Sequence, residues 1–286
     1  METAPAPAVA HAPDAPVIVL EAGRASAHYW RDLWRYRELA GFLAWRDIKV
    51  RYKQAALGAA WAVIQPAIQT LLLTFVFGKL AGMSSVGETP YALLVLCGTL
   101  PWQLFTGVFN GAGNSLVGNS HLISKVYFPR LIVPFSALGV ALIDFAIVFA
   151  FAVPVVAFFH AVPDWRIVFL PLFMLLAIGI ALGAGLWITA LTVRFRDFRF
   201  ITPFLLQVGF FITPIGYTTS ATPGWEKWLA LNPLSAVVDG MRWSLLRGAS
   251  QLNTAGLLAS LSAALLLILT GVWYFRRTER RFADIV

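Results

Sequence analysis

LIVPFSALGVALIDFAIVFAFAVPVVAFFHAVP, residues 131–163, holds one charged side chain, Asp144, and is otherwise apolar or neutral from end to end. A helix needs about 20 mostly apolar residues to cross the hydrocarbon of a bilayer, and this stretch exceeds that. Its neighbours repeat it. Gln54 to Gly78, Thr89 to Ser124, Ile167 to Val193, Phe200 to Trp225 and Gly248 to Phe275 contain no Asp, Glu, Lys or Arg. The pattern predicts an all-α membrane protein with six transmembrane helices, near 58–78, 91–113, 131–159, 167–193, 200–218 and 255–275. Composition agrees: 59% of the 286 residues are hydrophobic and 13% charged, too little polar surface for a soluble domain.

The basic residues orient these spans. One side receives Arg24, Arg31, Arg35, Arg37, Arg46, Lys49, Arg51, Lys53, Lys125, Arg130, Arg194, Arg196, Arg199, Arg276, Arg277, Arg280 and Arg281. The other receives Lys79, Arg166, Lys227, Arg242 and Arg247. Of the 22 Lys and Arg, 17 therefore fall on one side, which the positive-inside rule assigns to the cytoplasm together with both termini. The same distribution explains the net charge of +8 as attraction to anionic lipid headgroups rather than to nucleic acid.

Three further regions have their own character. Residues 1–28 are rich in Ala and Pro, and Met1 to Leu20 lacks the basic start of a secretory signal, so a disordered tail is expected. Residues 29–53 mix Trp30, Trp34, Tyr36, Phe42, Trp45 and Tyr52 with basic side chains. That mixture suits a cytoplasmic interface segment lying at the headgroups, or a helical collar packed on protein. Its apolar faces change sides, which predicts two short helices or a bend near Arg37. The remainder, 54–286, is the six-helix membrane domain. Within it, Pro223 to Arg247 is apolar but too short between charges to span, and Pro233 after Asn232 divides it. Two half-length helices joined at a proline predict a re-entrant hairpin between spans 5 and 6; the competing expectation is an external amphipathic loop.

Candidate chemistry is sparse. The chain has no G-x-x-x-x-G-K-[ST] and so no P-loop for ATP phosphates. His11, His28, His121 and His160 lack metal-ligand spacing, and Cys97 is the single cysteine, so no metal site and no disulfide within the chain is expected. Paired acids for glycosyl or phosphoryl chemistry are not evident, and no catalytic residue is assigned. Asp144, alone at mid-span, must find a partner or stay protonated. Neutral amides at Gln65, Gln69, Gln103, Asn110, Asn114 and Gln207 accompany Phe75, Tyr91, Trp102, Phe105, Phe109 and Tyr217. Amides suit sugar hydroxyls and aromatic faces suit sugar C–H surfaces, so these six rings are candidates to line a glycan path. Lipid-facing or core packing is the alternative for each. Trp225 and Trp228, with the Asn232–Pro233 break, are candidates for an outer gate. Arg46, Lys49, Arg51 and Lys53, just before the first span, are candidates to hold a lipid diphosphate, or serve as cytoplasmic anchors.

Four segments together carry a resemblance. WRDIKVRYKQAALGAAWAVIQPAIQTLLLTFVFGKLAGM (45–83), SHLISKVYFPRLIVP (120–134), NPLSAVVDGMRWSLLRG (232–248) and TERRFAD (278–284) resemble, in combination and order, the permease subunits of type-2 ABC exporters of lipid-linked polysaccharide, the O-antigen and teichoic-acid exporter group. The resemblance covers the chain from about residue 30 onward. It implies a homodimer bound to two copies of a separate ATPase subunit, which binds ATP and Mg, with this chain holding no cofactor. It also implies export of an undecaprenyl-linked glycan across the bacterial inner membrane. By resemblance, Asn119, Ser120, His121, Leu122, Ile123, Ser124, Lys125, Tyr127 and Arg130 form the ATPase-coupling element. The competing functions are a type-2 permease for a drug or small lipid, an integral-membrane enzyme acting on polyprenol lipids, and a membrane anchor for a cytosolic complex.

Overall fold

A computed structural model describes residues 29–53, 60–80, 82, 89–126, 128–161, 163–218, 224–248 and 250–279. The tail at 1–28, Tyr127 and residues 280–286 lie outside the described residues, as does the side chain of Ser124. The secondary structure is helical: α1 Tyr29–Arg35, α2 Arg37–Lys53, α3 Ala60–Leu73 continuing as a π-helix Thr74–Leu80, α4 Tyr91–Gly118, α5 Ser120–Lys125 and α6 Ile132–Phe158. A 3-10 turn Trp165–Phe169 leads into α7 Leu170–Arg194, followed by α8 Phe198–Ile212, α9 Glu226–Leu231, α10 Pro233–Leu245 and α11 Thr254–Glu279.

Five of these runs are long and apolar enough to cross a membrane: Ala60–Leu80, Tyr91–Gly118, Ile132–Phe158, Trp165–Arg194 and Thr254–Glu279. The fifth expected span, 200–218, is shorter than its uncharged sequence suggests. α8 ends at Ile212 because Thr213 precedes Pro214 and takes an extended conformation, φ −79° and ψ 134°. Its 15 residues reach about 22 Å, short of a hydrocarbon core of about 30 Å. α4, conversely, runs five residues past its expected end. The expected break in the interface segment falls at Tyr36, between α1 and α2.

α4 is the central helix, buried along most of its length and packed against α6, α7 and α10. α7 in turn packs along α11. Small residues permit that last contact. A Cβ at Gly183 would lie 2.6 Å from the carbonyl carbon of Leu267, and one at Gly271 would lie 2.6 Å from the carbonyl oxygen of Gly183. Without water to drive apolar association, close backbone approach of this kind supplies the van der Waals contact that holds membrane helices together. The outer faces remain apolar and exposed, with Ile68, Leu71 and Leu72 on α3 and Phe200, Phe204 and Phe211 on α8. α10 starts where the sequence places its proline: Asn232 accepts a hydrogen bond from Leu234 N at 3.0 Å and Pro233 occupies the first helical position. Asn253 caps α11 in the same way, accepting from Ala255 N at 3.0 Å.

Candidate functional site

Three polar constellations interrupt the apolar bundle. The first surrounds the connection from α4 to α6. Asn119 ends α4 and precedes α5, and its Oδ1 accepts from Arg46 Nη2 of α2 at 2.5 Å, while its Nδ2 donates to Ser115 O at 2.9 Å. At the far end of the connection, Arg130 N donates to Glu279 Oε1 at 2.9 Å, and Arg130 Nη1 donates to the Glu279 carbonyl. Arg276, one turn before Glu279, lays its guanidinium over the Tyr29 ring at 4.4 Å. Burial pushes the Tyr29 phenol well above its ordinary range, and the neighbouring Glu279 carboxylate adds to it. The connection is thus tied at one end to α2 and at the other to α1 and the end of α11. Between these ties Ile123 is buried, Ser120 and Leu122 are half-buried, and His121 and Lys125 are exposed.

The second constellation is a cavity of about 630 Å³ among α2, α3, α4 and α6. Gln65, Gln103, Asn110, Asp47, Arg51 and Asp144 supply its polar lining. Asp144 has the partner its position demands. Its Oδ2 pairs with Arg51 Nη2 at 2.7 Å, and its Oδ1 accepts a short hydrogen bond from the Tyr52 hydroxyl. Burial and the Asp144 carboxylate push the Tyr52 phenol far up, so Tyr52 remains a neutral donor. Arg46 is likewise paired, with Asp47 Oδ1 at 2.7 Å. Of the four basic candidates before the first span, Arg46 and Arg51 already hold carboxylates, Lys49 sits over the Trp45 ring at 5.2 Å, and Lys53 is exposed.

The third constellation lies where the other end of α4 meets α10. Arg242, 1% exposed, donates through Nε to Leu94 O at 2.9 Å, through Nη1 to Tyr217 O at 3.0 Å and through Nη2 to Ile215 O at 2.7 Å. Asp239 Oδ1 lies 3.9 Å from Arg242 Nη1 and accepts from Ser250 Oγ at 2.9 Å. Tyr91 donates to the Gly216 carbonyl, and Asn232 Nδ2 to Thr213 Oγ1 at 3.0 Å. The non-helical stretch after α8 is thereby held by Arg242, Tyr91 and Asn232. Gly98 makes room for it, since a Cβ there would lie 2.7 Å from Arg242 Nη2. Sequence counting placed Arg242 among the external basic residues and gave it no partner. The signal that could have found it is Asp239, three residues earlier on the same helical face.

The six candidate path rings do not come together around the cavity. Trp102, Phe105 and Phe109 are buried and form a ladder, with centroids 5.5 Å apart at each step, and Trp102 also meets Phe210 at 5.6 Å. Phe75 is exposed, and Tyr91 and Tyr217 are half-buried at the Arg242 end. The amides divide differently. Gln65, Gln103 and Asn110 line the cavity, and Gln103 Nε2 donates to Gln69 Oε1 at 3.0 Å. Trp225 and Trp228 are exposed, whereas the Asn232–Pro233 break is anchored on both sides. Asn232 reaches Thr213, and Ser260 Oγ of α11 donates to Pro233 O at 2.7 Å. Among the described residues no cluster of His, Cys, Asp and Glu has the geometry of a metal site.

The chain is 28% identical over 211 residues to the O-antigen export system permease protein of Myxococcus xanthus, covering 73% of this chain and 80% of that one. It is 26% identical over 243 residues to a protein of the same name from Klebsiella pneumoniae, with 84% and 92% covered. It is 23% identical over 209 residues to the polysialic acid transport protein of Escherichia coli, with 71% and 79% covered. The family model described as ABC-2 type transporter matches residues 38–246, a stretch that runs from α2 through α10 and holds the whole lining of the cavity. The chain belongs to the ABC-2 type transporter family.

Proposed function

We propose that this chain is the transmembrane subunit of an ABC exporter of undecaprenyl-linked polysaccharide, acting as a homodimer with two copies of a separate ATPase subunit. The observation that carries this reading is the doubly tied connection between α4 and α6. A permease without its own P-loop must receive force through a cytoplasmic element that does not slip. Residues 119–130 begin on Arg46 and end on Glu279, so a push on α5 reaches α2, α4 and α11 together. The similarity to proteins named for O-antigen export supports a polysaccharide as cargo.

In the proposed topology both termini are cytoplasmic, α8 serves as a short fifth span, and α9–α10 dip into the outer leaflet as a re-entrant hairpin. The charge asymmetry and the proline-bounded helices support it. Lys49 and Lys53 meet the lipid diphosphate first, because Arg46 and Arg51 must exchange a carboxylate to take part. The path rings Trp102, Phe105 and Phe109 serve glycan passage only when α4 and α8 part, since they form the core of the closed protomer.

Co-purification tests the assembly. The tagged chain should carry an ATPase subunit out of the membrane in equal amounts, and charge substitutions at Leu122 and Tyr127 should abolish that while leaving membrane insertion intact. Recovery of the chain with no ATPase, or unaltered assembly in both variants, refutes it.

A further inference from the structure

The cavity among α2, α3, α4 and α6 has a lining whose chemistry can be matched to a ligand class. Two of its side-chain amides, Gln65 and Asn110, make no hydrogen bond among the described residues. Gln103 spends one donor on Gln69. Gln65 is exposed and Asn110 half-buried, so both amides are open to water or a polar ligand. α6 contributes Val133, Ala137, Val140, Ala141 and Phe145 to the same lining, alongside Asp144. The lining therefore combines hydrogen-bonding groups with C–H surface.

The charges exclude one obvious occupant. The lining contains two carboxylates, Asp47 and Asp144, and one guanidinium, Arg51, which Asp144 already neutralises. An anion entering here finds no unengaged cation, since Arg46 holds Asp47 and Arg51 holds Asp144. A neutral polyol needs none: its hydroxyls donate to Asp47, Asp144 and the amide oxygens and accept from the amide nitrogens, while its ring C–H face lies on α6. The volume of about 630 Å³ falls within the range of small-molecule sites.

We propose that this cavity is a neutral-saccharide pocket within each protomer, with Gln65, Gln103, Asn110 and Asp144 as its hydrogen-bonding residues. It takes a short stretch of sugar rings and excludes phosphate. The inference rests on the export reading above and gives it a recognition site that neither the aromatic rings nor the basic row provides.

The test is a protection assay on the full chain in nanodiscs, carrying Cys97→Ser and Thr106→Cys, the latter a small change on the cavity wall. Maleimide labelling of position 106 is timed with a panel of free neutral mono- and trisaccharides, and separately with inorganic pyrophosphate. At a saccharide concentration about three times its Kd, labelling should slow about fourfold. The effect should vanish in the Gln65→Ala/Asn110→Ala variant, and pyrophosphate should give none. Protection by pyrophosphate alone overturns the proposal in favour of an anion site. If no saccharide protects while the same chain restores polysaccharide export to cells lacking it, the pocket is refuted and the export function stands. If it restores no export although it inserts and assembles, the export reading fails instead. Should position 106 resist labelling, saturation-transfer NMR of the same saccharides on wild-type and Gln65→Ala/Asn110→Ala chains decides by the same comparison: equal transfer to both refutes the pocket.

Discussion

Arg46 Nη2 reaches Asn119 Oδ1 at 2.5 Å while holding Asp47 at 2.7 Å, so one guanidinium joins α2 to the start of the connection between α4 and α6. A planar fork that bridges two acceptors is a task for arginine, and lysine cannot reproduce it. Arg46→Gln and Asn119→Ala should each uncouple the transporter in the same way. ATPase association and basal hydrolysis should persist, while stimulation by the lipid-linked substrate falls several-fold. Because both act through one contact, the double variant should be little worse than either single one. Additive losses would show that Arg46 acts elsewhere, for instance on the lipid diphosphate.

A buried guanidinium with three carbonyl partners is the strongest polar tie in the fold. Arg242→Met removes the side-chain donor shared by the carbonyls of Leu94, Ile215 and Tyr217 and the guanidinium beside Asp239. Removing one partner from such a buried set costs about 3–5 kcal/mol. Gly98→Ala, which drives a methyl against Arg242, should cost about 1–3 kcal/mol by overpacking. Thermal unfolding of the detergent-solubilised chain measures both. A Gly98→Ala chain as stable as wild type would contradict the packing described at this end of the bundle.

How much of this was legible in the sequence depends on whether a feature is local. The apolar run at 131–163 became α6 Ile132–Phe158 almost unchanged, because span length and hydropathy are properties of consecutive residues. The break at Tyr36 and the start of α10 at Pro233 were also readable, from a change of apolar face and from a proline. α8 was misjudged because charge counting ignored Pro214. The partners of charged groups were not legible. Asp144 was expected to find one, but Arg51 and Tyr52 lie about ninety residues away in the chain. Nor could one sequence tell that Trp102, Phe105 and Phe109 stack on each other in the core.

Tyr52 should contribute stability with a distinctive pH profile. Its folded pKa is raised, chiefly by burial and then by Asp144, so its hydrogen bond is fully present below the ordinary tyrosine pKa of about 10. The contribution declines only as pH rises above that value toward the folded pKa. Tyr52→Phe should therefore lower the melting temperature by the same modest amount at every pH from about 6 to 9. A penalty that changes across that window would mean that a different group titrates at the Asp144 site.

Membrane orientation is open to cysteine labelling in a Cys97→Ser background. Trp225→Cys, at an exposed position before α9, should react with an impermeant maleimide applied to intact spheroplasts. Arg277→Cys, exposed near the end of α11, should react only after the membrane is opened. The reverse pattern would sink the cytoplasmic placement of the C-terminus. Labelling of both from the same side would remove one crossing between them.

The proposal that this chain exports a lipid-linked glycan, rather than building or modifying one, is tested most directly by deleting it from its host and following the polymer. Surface polysaccharide and lipid-linked polysaccharide at the inner face of the membrane are measured in parallel. The account predicts loss of the surface polymer with accumulation of the lipid-linked form inside, both reversed by the wild-type chain. Unchanged surface polymer, or its loss without any internal accumulation, would contradict it.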